Sequence, residues 1–203
     1  LFFLIPLIYF FFIKKIKSSY INICCLILSL IIFQGVIGWY MVKSGLVNDI
    51  TVSHYRLSIH LITAILIISM IFWLLRNITF EQNKLFFKLS AANLPFQILI
   101  FLIFTQIIIG AFVSGLDAGK IYQTWPLMGN HYIPDDLIFL EIADILKFDD
   151  HSLVQFYHRN FAYLIVFYVL ILSVVIYKQK ITNLYKPLRI LILVLIIQAL
   201  LGI

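Results

Sequence analysis

Long apolar runs separated by short polar stretches dominate the chain. The runs cover 20–42, 54–76, 93–115, 153–177 and 187–203, and none holds more than two charged residues. Each is close to the ~20 residues an α-helix needs to cross a bilayer. Inside lipid the backbone must satisfy its own hydrogen bonds, which makes such runs helices rather than strands. Pro95 and Pro187 fall near the starts of two runs, where a proline is tolerated. A sixth run, 1–13, is too short to span. It has no basic region before it, so it is expected to be the tail of a helix and not a signal peptide. The last run stops at Ile203 without a polar flank, so both ends are expected to be cut. The fold class is all-α: a polytopic transmembrane helix bundle with six helices or parts of helices.

Composition names the solvent. Hydrophobic residues make up 63% of the 203 and charged residues 12%, against roughly 25% charged in soluble domains. A chain this size cannot enclose so much apolar surface in one core, so most of it must face lipid. Cys24 and Cys25 are adjacent within an apolar run, with no C-x-x-C spacing. They read as small apolar residues and not as a disulfide framework.

The net charge of +6 would suit nucleic acid, but its placement argues for topology. Lys14, Lys15 and Lys17 lie in one connection. Arg76, Lys84 and Lys88 against Glu81 lie in the third, and Lys178, Lys180 and Lys186 in the fifth. The second holds Lys43 and Asp49. The fourth holds Lys120 and Lys147 against Asp117, Asp135, Asp136, Glu141, Asp144, Asp149 and Asp150. By the positive-inside rule, loops 14–19, 77–92 and 178–187 are expected to be cytoplasmic, and 43–52 and 116–152 periplasmic. The expected partner is therefore a lipid bilayer and not nucleic acid.

A pentapeptide pattern repeats. Gln34-Gly35-Val36-Ile37-Gly38 returns as Gln106-Ile107-Ile108-Ile109-Gly110 and as Gln198-Ala199-Leu200-Leu201-Gly202. His60 follows Gln34 by 26 residues and lies in the next run; a histidine about as far beyond Gln198 would fall outside the chain. Continuing the repeat gives a four-helix unit used twice, with one histidine beyond each end. The glycines read first as small-residue packing faces.

Five histidines need sorting. His131 and His151 read as solvated residues of the acidic loop, and His54 as a polar residue at a helix boundary. His60 and His158 lie about one turn inside apolar runs. Ionisable groups at that depth face a bundle interior or a cavity. At ~100° per residue, Arg56, His60, Thr63, Ala64 and Ile67 share a face, as do Gln155, His158, Arg159 and Ala162; His54 is off the His60 face. Imidazole can bind a haem iron axially, and an arginine toward water can pair with a propionate. Gln106, Gly110, Ser114 and Asp117 lie along one side of the fourth run. Two readings stay open on residues alone: haem ligation by His60 and His158, and the buried polar histidines of a transporter.

Four blocks carry a family resemblance. They are Gln34–Leu46 (QGVIGWYMVKSGL), Val52–Leu61 (VSHYRLSIHL), Gly115–Gly129 (GLDAGKIYQTWPLMG) and Val154–Tyr163 (VQFYHRNFAY). In order and spacing they resemble the haem A synthase family, over essentially the whole chain. The cysteine-free outer loops are similar to the alphaproteobacterial and mitochondrial type. The resemblance implies eight transmembrane helices in two pseudo-symmetric four-helix halves, each with two axial histidines for a haem. Residues 1–90 would belong to the N-terminal half (end of the second helix, then the third and fourth). Residues 91–203 would belong to the C-terminal half (fifth, sixth and start of the seventh helices).

By the same resemblance His60 is an axial ligand at the site for the substrate haem O, and His158 at the site for a haem b cofactor. Arg56 and Arg159 accompany them. The implied reaction oxidises a ring methyl of haem O to a formyl group, giving haem A for cytochrome oxidase assembly. It would run in the inner membrane beside a haem O synthase and an electron carrier; a homo-oligomer is left open. The alternative is a membrane b-type cytochrome that transfers electrons without modifying haem. The family's carboxylate, one turn before its first histidine, falls outside this chain, so no residue here is assigned as catalytic, Asp117 included. Asp117, Tyr122 and Thr124 match the family's outer-loop motif and are expected to shape the loop. With one histidine per site, residues 1–203 alone are not expected to form hexacoordinate haem.

Overall fold

The computed structural model describes residues 2–45, 52–80, 90–138 and 141–202. Leu46, Asp49, Glu81, Lys84, Lys88 and Ile203, which entered the sequence reading, lie outside the described residues. Six α-helices are present: α1 (Leu4–Phe12), α2 (Ser18–Gly45), α3 (His54–Thr79), α4 (Leu94–Gly115), α5 (His151–Lys178) and α6 (Tyr185–Gly202). Among the described residues there is no strand, only an isolated antiparallel bridge between Met128 and His131. Five of the helices are long and apolar enough to cross a membrane. The chain is a multi-pass, all-helical membrane protein.

Helices α2, α3 and α5 run slightly past the apolar runs because the flanking polar residues still adopt helical backbone. One sequence expectation is corrected here. His151 is not a loop histidine but the first residue of α5. Asp150 caps that helix, its carboxylate accepting from the Leu153 N–H at 2.9 Å. A cap of this kind satisfies a backbone donor the helix start would otherwise leave bare.

Two compact units divide the chain, Leu1–Lys88 and Leu89–Ile203. In the first, Tyr20, Cys24 and Ile27 of α2 pack on Ile67, Met70 and Leu74 of α3. Cys24 is thus buried while Cys25 is exposed, and both are free thiols. In the second, Leu99 of α4 and Leu188 of α6 pack on Ile165, Val169, Leu172 and Ile176 of α5. The Tyr168 hydroxyl also donates to the Pro95 carbonyl at 2.8 Å, tying α5 to the start of α4. Large side chains turn outward: Phe72 is 62% exposed and Phe101 69%. Lipid is the medium that accepts such a surface without penalty.

Between α4 and α5 the chain forms 3-10 turns at Ala118–Lys120 and Ile142–Leu146. Leu116 ends α4, and Asp117 follows in the left-handed region at φ 55°. Aspartate tolerates that conformation better than most residues. Its carboxylate meets Lys120 Nζ at 2.8 Å on an exposed surface. Asp117 therefore turns the chain out of the helix.

Candidate functional site

Each unit seats one histidine in the same way. In the first, the Gln34 amide of α2 donates to the main-chain carbonyl of His60 on α3 at 3.0 Å. One turn further along α2, Gly38 lies against the ring: a Cβ placed there would sit 3.2 Å from His60 Cε1 and 3.8 Å from Nδ1. In the second, the Gln106 amide of α4 donates to the His158 carbonyl on α5 at 3.0 Å. A Cβ at Gly110 would sit 3.0 Å from His158 Cε1 and 3.6 Å from Nδ1. The Gln-x-x-x-Gly repeat is thus a seat for a neighbouring helix's histidine. The sequence reading of the glycines as packing positions holds, but what they pack against is an imidazole. The third copy differs: Gln198 is exposed and nothing lies within 4 Å of where a Gly202 Cβ would be.

These surroundings fit an axial haem ligand. In both units the ring presents its Cε1–Nδ1 edge to the glycine, while Nε2 stays beyond 4 Å of that Cβ position. His60 Nδ1 is buried and has no hydrogen-bond partner, as are Gln34 Oε1 and Gln106 Oε1. In each ring Nε2 is the nitrogen farther from the glycine. Beneath His60 on α3, Thr63 is buried with its hydroxyl turned back to the Ile59 carbonyl at 2.7 Å. Among the described residues no three His, Cys, Asp or Glu side chains gather as a site for a bare metal ion. A single imidazole suits an iron that brings its own four nitrogens.

The two arginines tie neighbouring segments together. Arg159 donates to the backbone carbonyls of Tyr122 at 2.6 Å, Thr124 at 2.7 Å and Leu127 at 3.3 Å. Gln155, one turn earlier and buried, donates to the same Tyr122 carbonyl at 2.9 Å, and its oxygen accepts from the Tyr122 N–H at 3.3 Å. The outer loop is therefore pinned across the end of α5 that holds His158. Arg56 lies over the Tyr40 ring, 4.6 Å from its centroid, a cation–π contact linking α3 to α2. Replacing Arg159 by glutamine removes charge-assisted hydrogen bonds, each worth about 2 kcal/mol. Backbone amides of 121–129 are expected to exchange faster in that variant, with α5 unchanged, as hydrogen-exchange mass spectrometry would read.

Sequence reasoning missed a second tie in this loop. The Tyr122 hydroxyl donates to Asp136 Oδ1 and Ser152 to Asp136 Oδ2, both at 2.6 Å. Burial works to raise the Asp136 carboxyl, but the hydrogen bonds from Ser152 and Tyr122 outweigh it and leave it below its usual value. The Tyr122 phenol is raised, chiefly by its bond to Asp136. A depressed acid stabilises above its ordinary pKa and loses that effect as pH falls through the folded value; a raised phenol does the reverse at the alkaline end. The tie is therefore complete between about pH 4 and pH 10. In a Trp39→Phe, Trp73→Phe background, Trp125 fluorescence is expected to change below and above that window, and Tyr122→Phe is expected to remove the alkaline step. His131 pairs with Asp135 at 2.7 Å on the exposed surface.

The fold and site together define a polytopic helical membrane protein that presents one neighbour-seated histidine in each of two units. Residues 1–203 match the COX15-CtaA family, described as cytochrome oxidase assembly protein. The chain belongs to that family, as the sequence blocks implied. It is 40% identical over 180 residues to the Heme A synthase of Pelagibacter ubique, covering 89% of this chain and 53% of that protein. It is 39% identical over 204 residues to the Heme A synthase of a Wolbachia from Brugia malayi, covering 100% and 59%. The Heme A synthase of Rickettsia bellii is 41% identical over 212 residues, covering 100% and 61%. The chain thus spans a little over half the length of these relatives. No solved structure matches it.

Proposed function

We propose that the protein to which this chain belongs is a haem A synthase, an oxidoreductase that converts a ring methyl of haem O to a formyl group. The observation that supports this best is the histidine seat, built twice from the same residue types with the same Gln-x-x-x-Gly step: Gln34, Gly38 and His60, then Gln106, Gly110 and His158. Two seats suit a reaction that needs one haem as substrate and another as cofactor. His60 would ligate haem O and His158 a haem b, each as one axial ligand, within two pseudo-symmetric halves divided near residue 90. When bound, haem b would supply one-electron transfer.

The chain's own residues hold and orient. Gln34 and Gln106 fix the backbone of each histidine. Gly38 and Gly110 let the ring lie close against the next helix. Arg159 and Gln155 hold the outer loop over the second seat, limiting access of water. Arg56 and Arg159 are the cations nearest in sequence to the two ligands; turning from their present partners, they would meet propionates. The lysine-bearing loops, by the positive-inside rule, support a periplasmic position for the histidine ends of α3 and α5 in a bacterial inner membrane. A haem O synthase and an electron carrier are the proposed partners.

Haem extraction tests this reading. Cells lacking the gene are expected to accumulate haem O and to regain haem A on complementation with the full gene. Unchanged haem A in the deletion would end it. Bound haem with no effect on haem A would favour the b-type cytochrome instead.

A further inference from the structure

At the end of α3 away from His60, helices α1, α2 and α3 leave between them a cavity of about 450 Å³. That volume lies within the roughly 300–1,000 Å³ of ordinary ligand sites. Its walls are mainly apolar. Phe3, Leu7 and Phe10 of α1 line it together with Tyr20 and Cys24 of α2, and Asn77 of α3 closes it. Asn77 lies 17 residues beyond His60 on α3, about 25 Å along the helix axis. The cavity is therefore no part of the histidine seat. Close-packed interiors leave few voids larger than a water molecule, so a hollow of this size beside lipid invites an occupant.

Two cations line the same cavity, Lys15 and Lys17. The end of α1 explains the first. Lys14 adopts the left-handed region at φ 54°, its N–H donates to the Phe11 carbonyl at 3.0 Å, and the Lys15 N–H donates to the Phe10 carbonyl at 3.0 Å. This Schellman turn brings the chain back over the last turn of α1, and Lys15 with it. Lys17 follows immediately before α2. No acid opposes the pair. None lines the cavity, and the first acidic residue of the chain is Asp49. Among the described residues neither lysine forms an ion pair. By the positive-inside rule this connection is cytoplasmic, and basic pockets between helices on that side recognise the phosphates of anionic lipids.

We propose that this cavity binds one anionic phospholipid of the cytoplasmic leaflet. An acyl chain lies among Phe3, Leu7 and Cys24, and the headgroup phosphate sits between Lys15 and Lys17. Lysine suits the position, because its stem follows an apolar wall while its ammonium reaches the headgroup. The lipid fills the gap between α1 and the α2–α3 pair and holds these three helix ends together. Neither histidine seat takes part, and the site is independent of the haem chemistry.

The test uses the delipidated full-length protein in detergent, read by native mass spectrometry. The probe is dioleoyl phosphatidylglycerol and the control dioleoyl phosphatidylcholine. One saturable phosphatidylglycerol adduct is expected, about 10-fold tighter than that of phosphatidylcholine. Lys15→Gln combined with Lys17→Gln is expected to weaken it about 10-fold or more, since a lysine near the membrane surface contributes about 5-fold. Leu7→Trp, which fills the hollow and keeps both lysines, is expected to weaken it as much. Lys178→Gln combined with Lys180→Gln, in the other unit, is expected to leave it unchanged. Equal binding of the two lipids overturns the proposal, as does equal loss from the two lysine pairs. Absence of any adduct, as when another segment of the protein occupies the cavity, overturns it too. Displacement of the lipid by soluble glycerol 1-phosphate at equal concentration would mark a bare anion site and count against a lipid. If the Lys15, Lys17 variant does not fold, the comparison of the two lipids on wild type and the Leu7→Trp variant decide.

Discussion

Alanine at His158 is expected to empty the second haem site of the full-length protein and to lower haem A formation by about 100-fold or more. Loss of residues that merely orient a metal ligand already costs ~10–100-fold, and this change removes the ligand. The other two histidines of the same unit are poorly placed to replace it. His151 lies seven residues back, about 10 Å along the helix axis, and His131 is held by Asp135 in the exposed loop. The measurement is haem content by pyridine haemochrome beside haem A yield. Undiminished haem in the His158→Ala protein would remove His158 from the site. His60→Ala is expected to strike the other haem and leave the spectrum of the His158 haem in place.

The second large effect concerns glycine. Gly110→Leu is expected to separate α4 from α5 locally, because even the Cβ alone would stand 3.0 Å from His158 Cε1. Overpacking of this kind costs about 1–3 kcal/mol, and parting the helices also breaks the Gln106–carbonyl bond. The alanine series grades the effect. Gly110→Ala is expected to lower the detergent melting temperature most. Gly38→Ala, with its Cβ at 3.2 Å, follows, and Gly35→Ala, with nothing within 4 Å, does not lower it. If Gly35→Ala proved as damaging as Gly110→Ala, the glycines would matter for helix flexibility and not for the ring beside them.

The sequence made the helices legible because lipid imposes one rule on every span, and that rule is written in apolar runs of fixed length. It also made His60 and His158 legible, since a histidine one turn inside such a run is conspicuous. The role of Gln34 and Gln106 was harder to read. Their shared partner is a main-chain carbonyl, which leaves no trace in the identity of the residue that offers it. The loop contacts of Arg159 were hidden for the same reason: the carbonyls it engages belong to Tyr122, Thr124 and Leu127, some 30 positions earlier. The Tyr122–Asp136–Ser152 tie joins residues 14 and 16 positions apart through an irregular loop. No periodicity connects such positions.

A consequence follows from the bond between Gln106 and the His158 carbonyl. A transmembrane helix answers a change in lipid thickness by tilting, at a cost of only fractions of a kcal/mol per Å of mismatch. A side chain that grips one particular carbonyl on the next helix forbids sliding while still permitting tilt. α4 and α5 therefore answer a thinner or thicker bilayer by leaning together. The position of the imidazole is set by its partner helix and not by the lipid surface, which keeps its register against α4 the same in membranes of different composition.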